Sequence, residues 1–205
     1  MRRSLVLAGL LAAVFSVSAV AQTIGTPVSK TPYAGFKRSE LAGYISDPGA
    51  GISIALQGEY RVNRKKYDLG LVVGYADADG SGNGLFGVGV DGRTTLARHT
   101  QDFPLDAALV GGVGALFSSG DVGFIIPVGV SLGREIILEN SKISFTPYVN
   151  PVIAPVIGSD NVVGSDVQFG LGLGVDVGLS PAFHLRVSGS VGDIEGVAVG
   201  LAWSH

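Results

Sequence analysis

His99, His184 and His205 are the only imidazoles in this chain, and it holds no cysteine. Disulfides, thiolate metal sites and a cysteine nucleophile are therefore excluded. Of the three histidines, His184 has neighbours that could do chemistry. Arg186 and Ser188 follow it on the same face of an alternating segment, and Asp176 stands in the segment before. Serine, histidine and acid together can build an acyl-transfer centre. The spacing opposes that reading, because four residues of extended chain put Ser188 roughly 13 Å from His184. His184 reads better as an interior histidine, with His99 in a loop and His205 at the terminus. "DADGSGNG" (77–84) sets Asp77, Asp79, Ser81 and Asn83 two apart, as oxygen ligands around calcium would be. The twelfth position, where that loop needs a bidentate glutamate, is Val88, so a turn-rich hairpin loop is the simpler reading. "GLGLGVDVG" (170–178) contains no G-x-G-x-x-G between a strand and a helix. No metal and no cofactor are expected.

What must position these residues is legible in "DVQFGLGLGVDVGLS" (166–180). Val167, Phe169, Leu171, Leu173, Val175, Val177 and Leu179 alternate with Asp166, Gln168, Gly170, Gly172, Gly174, Asp176 and Gly178. A period of two is the signature of a strand with unlike faces. Similar alternation fills most of the chain from Ile52 to Trp203, in about nine segments broken by polar or glycine-rich turns. The proline-rich "PYVNPVIAPVIG" (147–158) reads as locally irregular or bulged, because proline cannot donate to a ladder. The chain is 46% hydrophobic and only 15% charged, with 32 glycines, against roughly 25% charged in a soluble domain. A net charge of −3 gives no support for a nucleic-acid partner.

The first residues have the form of a secretory signal. Arg2 and Arg3 precede a long apolar stretch that ends in Ala19-Val20-Ala21, an A-x-A cleavage pattern. The expected division is a signal peptide at 1–21, an N-terminal segment at 22–48 that is either a tail or an extra strand, and a barrel at 49–205.

An exported chain with no cysteine, strands of about ten alternating residues and an amphipathic last strand resembles the small bacterial outer-membrane β-barrel proteins, of the porin-like and OmpA-like class. In the terminal "GVAVGLAWSH", Gly196, Val197, Val199, Leu201 and Trp203 resemble the closing-strand signal read by the barrel-assembly machinery. Ser204 and His205 follow the aromatic residue. The resemblance implies an all-β fold: a closed antiparallel up-and-down transmembrane β-barrel of 8–10 strands after a cleaved signal peptide. It implies a place in the bacterial outer membrane, with outer-membrane lipids and the assembly machinery as partners. It also implies a structural or passive small-solute transport role without catalysis. The alternatives are a barrel enzyme acting on membrane lipid, and a secreted soluble β-barrel that binds an apolar ligand with its oily faces turned inward. In a lipid-embedded barrel the oily face looks out, and the small or polar face looks into a narrow lumen.

Turn geometry then sets expectations for the lumen. A turn centred on Pro181 puts Asp176 opposite Arg186. A turn centred between Arg64 and Lys65 puts Arg61 opposite Asp68. With Glu59 and His184 these residues form the expected set of lumen charge pairs, structural in role, because an unpaired ion in so confined a space is costly. The remainder of "RVNRKK" (61–66) is expected to be a charged turn at the membrane surface.

Overall fold

The computed structural model describes residues 24, 26, 28–32, 39–49, 52–64, 66–78, 84–158 and 165–205, without the side chains of 52, 53 and 78. The candidate signal at 1–21 and positions 79–83 of the "DADGSGNG" loop lie outside the described residues.

The strands are β1 (Glu40–Asp47), β2 (Ile52–Arg64), β3 (Tyr67–Ala78), β4 (Gly84–Ala97), β5 (Asp106–Ser118), β6 (Asp121–Ile125), β7 (Val128–Gly133), β8 (Ile136–Ile137), β9 (Ser144–Gly158), β10 (Asp166–Gly178), β11 (Phe183–Gly192) and β12 (Gly196–Ser204). β6 and β7 are halves of one stave, since both pair with β5 and with β9, and β8 is a short extension on β9. Each stave lies antiparallel to its neighbours, β1 pairs with β12, and β9 pairs with β10. The result is a closed barrel of ten staves with no free edge. Glu40 at the start of β1 lies opposite Ser204 at the end of β12, so both ends of the sheet reach the same rim, called the terminal end below. The turns β3–β4, β5–β6, β9–β10 and β11–β12 lie at the far end.

The barrel starts at Glu40 rather than at residue 49. β1 comes from within the 22–48 segment, and it supplies the stave that makes the number even.

Alternation assigns the faces as the residue types require. Leu171, Leu173, Val197, Val199 and Leu201 are exposed on the outside, while Gly172, Asp176, Ala198 and Ala202 are buried within. A soluble barrel cradling an apolar ligand would need the reverse, so that alternative is overturned by the facing of every principal stave. Aromatic side chains gather towards both rims of the outer face. Tyr60, Tyr67, Phe183 and Trp203 are exposed at the terminal end, and Tyr75, Phe86, Phe117, Phe124 and Phe169 at the far end.

The proline-rich stave is more regular than expected. β9 pairs without a break against β10, from Ser144 opposite Gly178 to Val156 opposite Asp166. Pro147, Pro151 and Pro155 are four apart, so their ring nitrogens all point to one side. That side is the β6/β7 stave, since Ile126 donates to the Pro155 carbonyl at 2.9 Å. The irregularity appears there instead: the stave breaks at Ile126 and Pro127, where donors and acceptors cannot match.

Candidate functional site in the barrel lumen

Two arginines organise the lumen, and each reaches over a glycine. Arg61 of β2 lies opposite Gly70 of β3, and Gly70 lies opposite Asp91 of β4. With no side chain at position 70, the guanidinium passes over β3 and meets both Asp68 and Asp91. Its Nε also donates to Glu59 Oε1 at 2.7 Å. Asp68 lies opposite Arg93, whose Nε is 3.2 Å from Asp68 Oδ2.

On the other side of the lumen, Arg186 of β11 lies opposite Gly200 of β12, which lies opposite Tyr44 of β1. Arg186 donates to both oxygens of Glu40 at 2.6 and 2.7 Å, to the Tyr44 hydroxyl at 3.0 Å, and to Asp176 Oδ2 at 2.7 Å. The other Asp176 oxygen is 2.7 Å from His184 Nδ1. Such fork-like, charge-assisted contacts are the arrangement that lets a guanidinium stay ionised away from water.

Asp176 does stand opposite Arg186, in the register a turn centred on Pro181 requires. The register expected for β2 and β3 needs correction. Arg64 pairs with Tyr67, so the turn is centred one residue later, and Asp68 faces Asn63 instead of Arg61. The Arg61–Asp68 contact forms diagonally, because Gly70 leaves the path open. Arg61 is therefore a lumen residue, and Arg64 is the arginine exposed at the turn.

The lumen holds a component that strand patterns cannot show. Ile24, Thr26 and residues 28–32 are buried inside the barrel. Ile24 sits towards the far end, clustered with Leu116, Ile125, Val156 and Ile194. Thr26 hydrogen-bonds Gln57. Val28 packs on Ala42, Tyr44, Ala198 and Ala202. The Ser29 carbonyl accepts from the Tyr148 hydroxyl at 3.2 Å, and the Lys30 carbonyl from Ser131 Oγ at 2.6 Å. The Lys30 amide donates to Asn150 Oδ1 at 3.3 Å. The Lys30 ammonium stands 2.9 Å from Glu59 Oε2 and 3.1 Å from Asp91 Oδ2. Arg93 donates to the Thr31 carbonyl at 3.2 Å and to its hydroxyl at 3.1 Å. Pro32 lies beside Gly133 near the terminal end.

This inserted segment accounts for several of the inward glycines. A Cβ built on Gly87 would lie 2.8 Å from the Ile24 Cβ, and one on Gly172 would lie 3.0 Å from the Ser29 Cβ. Gly74 is similarly closed to a side chain by Ile24. These glycines make room for a second chain inside the wall.

Sequence reasoning placed Glu59, Arg61, Asp68, Asp176, His184 and Arg186 on the inner face, where they lie. It missed Lys30, Glu40, Asp91, Arg93, Tyr44 and Tyr148. Asp91 was visible as the polar member of an alternating run, while Lys30 and Glu40 fall in the region with the least pattern. Arg186 stands between His184 and Ser188 on the inner face, and both Asp176 oxygens are engaged, by His184 and Arg186. Gly196 opens β12, whose Val197, Val199, Leu201 and Trp203 all face outward. The two residues after Trp203 are part of the closure: the His205 amide donates to the Ser39 carbonyl at 2.9 Å, and its ring stacks on Trp203 with centroids 4.8 Å apart.

No family model matches the chain, and no curated protein matches it in sequence. Solved structures similar in fold include the beta domain of the Bordetella autotransporter BrkA, at 16% identity over 82% of each chain with a TM-score of 0.56. They also include LpxR from Salmonella typhimurium, at 8% identity over 80% of this chain and 99% of that one, with a TM-score of 0.47. A third is the KdgM porin in complex with disordered oligogalacturonate, at 11% identity over 82% of this chain and 99% of that one, with a TM-score of 0.38. The fold is that of a small outer-membrane β-barrel.

Proposed function

We propose that this protein is an integral component of the bacterial outer membrane with a structural role, sealed along its axis by its own N-terminal segment. Passive passage of small solutes requires that segment to move. The observation that carries this reading is the pairing of an apolar, aromatic-rimmed outer surface with a lumen occupied by Ile24, Thr26 and residues 28–32. Hydrocarbon suits the outer face, and aromatic side chains suit the two interfaces. Lipid is then the solvent of the wall, and β12 carries the features the assembly machinery would read, from Gly196 to Trp203. The Ser144 hydroxyl and the His184 ring both lie against Gly178, while both Asp176 oxygens are taken by His184 and Arg186; catalysis on lipid is not part of the proposal.

The test combines extraction and electrical recording. Carbonate washing of membranes should leave the protein in the pellet, and the intact refolded chain should insert into planar bilayers without a steady conductance. Release into the wash would remove the membrane role, and a stable large conductance of the intact chain would remove the seal.

A further inference from the structure

We infer that the lumen contains a cation site, formed by Glu59 and Asp91, which the Lys30 ammonium occupies as a tethered ligand and which selects for cations once the N-terminal segment leaves. The inference rests on the membrane-barrel reading above and adds what the lumen would carry.

Three observations converge. First, Glu59 and Asp91 are both buried, on β2 and β4, and they hold one ammonium between them at 2.9 and 3.1 Å. Second, the two carboxylates divide their work. Arg61 takes Glu59 Oε1 and Asp91 Oδ1, leaving Glu59 Oε2 and Asp91 Oδ2 aimed at Lys30. Asp91 Oδ2 is buried and makes no hydrogen bond, so the Lys30 charge is what compensates it. Third, the occupant does not belong to the wall. Lys30 is carried by residues 28–32, which belong to no strand and are held by wall side chains, among them Ser131, Asn150, Tyr148 and Arg93. When it departs it takes a positive charge with it, and among the described residues the wall keeps its buried carboxylates Glu40, Glu59, Asp68, Asp91, Asp106 and Asp176 against three buried guanidinium groups. An acidic constriction of this kind favours cations over anions. Its geometry suits a monovalent cation or a primary ammonium group, because the oxygens are set for one compact charge and Arg61 already neutralises part of theirs.

The experiment uses the refolded barrel lacking residues 24–32, with Ile194→Ala to clear the far-end apolar cluster. Insertion is checked by the altered gel mobility of the unheated barrel. In a potassium chloride gradient, the reversal potential should show potassium favoured over chloride by about threefold or more. Glu59→Gln with Asp91→Asn in the same background should bring the ratio towards one. A methylammonium chloride arm separates the two candidate ions by their relative permeability. A second measurement keeps the full chain: Lys30→Ala should melt higher in methylammonium chloride than in the same concentration of tetramethylammonium chloride, while the parent should not. An inserted barrel that is closed, unselective or anion-selective would overturn the inference, as would the absence of methylammonium stabilisation. Failure of the shortened barrel to insert would show that the wall needs the segment to fold, and the full-chain melting experiment would then decide the site.

Discussion

Arg61 lies across Gly70: a Cβ built on that glycine would stand 2.7 Å from the guanidinium Nη2. The glycine is what allows one cation on β2 to serve acids on both β3 and β4. Gly70→Leu should therefore push Arg61 off Asp68 and Asp91 and leave buried charges uncompensated. Breaking such a pair costs about 3–5 kcal/mol. Urea unfolding of the refolded barrel in lipid vesicles reads this directly, and a loss under about 1 kcal/mol would mean the network tolerates rearrangement.

Arg186 holds Glu40 and Asp176 together at 2.6 to 2.7 Å. Arg186→Met should destabilise the barrel by about 3–5 kcal/mol, because two carboxylates lose their partner. Adding Glu40→Gln should recover part of that loss, since the neutral amide no longer needs a counter-charge. The double variant being less stable than the sum of the two single changes would contradict direct pairing.

Val175 and its neighbour Gly174 test the facing of β10. Val175 faces outward, and Val175→Arg should cost about 2–4 kcal/mol near the bilayer midplane. From sequence alone, Gly174→Ser is expected to be mild unless packing is tight, and the packing is tight. A Cβ there would meet the Tyr148 ring, with Cε1 at 2.9 Å. Gly174→Ser should cost about 1–3 kcal/mol by overpacking, and equal mildness of both substitutions would put the assigned faces in question.

Most of the wall was legible because lipid and lumen impose opposite demands on alternate residues. Leu173 and Gly172 declare their faces without any long-range information. Strand partners were harder to read. The Asp176–Arg186 pairing follows from a short turn around Pro181, whereas the basic residues 64–66 give no marker for the centre of their turn. The inserted segment was not legible at all. Lys30 has no periodic neighbours, and its partners Glu59 and Asp91 are 29 residues away and further along the chain. The inward glycines were the trace of it: glycine on an inner face signals that something else occupies the space, but not what. The prolines of β9 misled for a related reason, since their cost falls on the neighbouring stave.

Tyr148 holds the inserted segment through the Ser29 carbonyl. Tyr148→Phe removes that donor, together with the hydroxyl's contact to Ser188 of β11, and should loosen the segment by about 0.5–1.5 kcal/mol while leaving the strand pairing of the wall intact. Hydrogen exchange should quicken in residues 28–32 and stay unchanged in β10 and β12. Uniform quickening across the barrel would instead mean that the hydroxyl supports the wall.

The position of the N-terminal segment is tested most directly by a cross-link. With Ser29→Cys and Gly172→Cys, a Cβ at 172 would lie 3.0 Å from that of residue 29, so the inserted segment must move out by only about 0.5 Å to reach the 3.5–4.5 Å that a disulfide spans. A control pair, Val187→Cys with Val199→Cys, joins directly opposite residues of β11 and β12 on the outer face. Mild oxidation of the barrel in membranes should close both pairs and shift the denatured protein to faster mobility on gels. Closure of the control pair without closure of 29–172 would place the segment outside the lumen and contradict the sealed barrel.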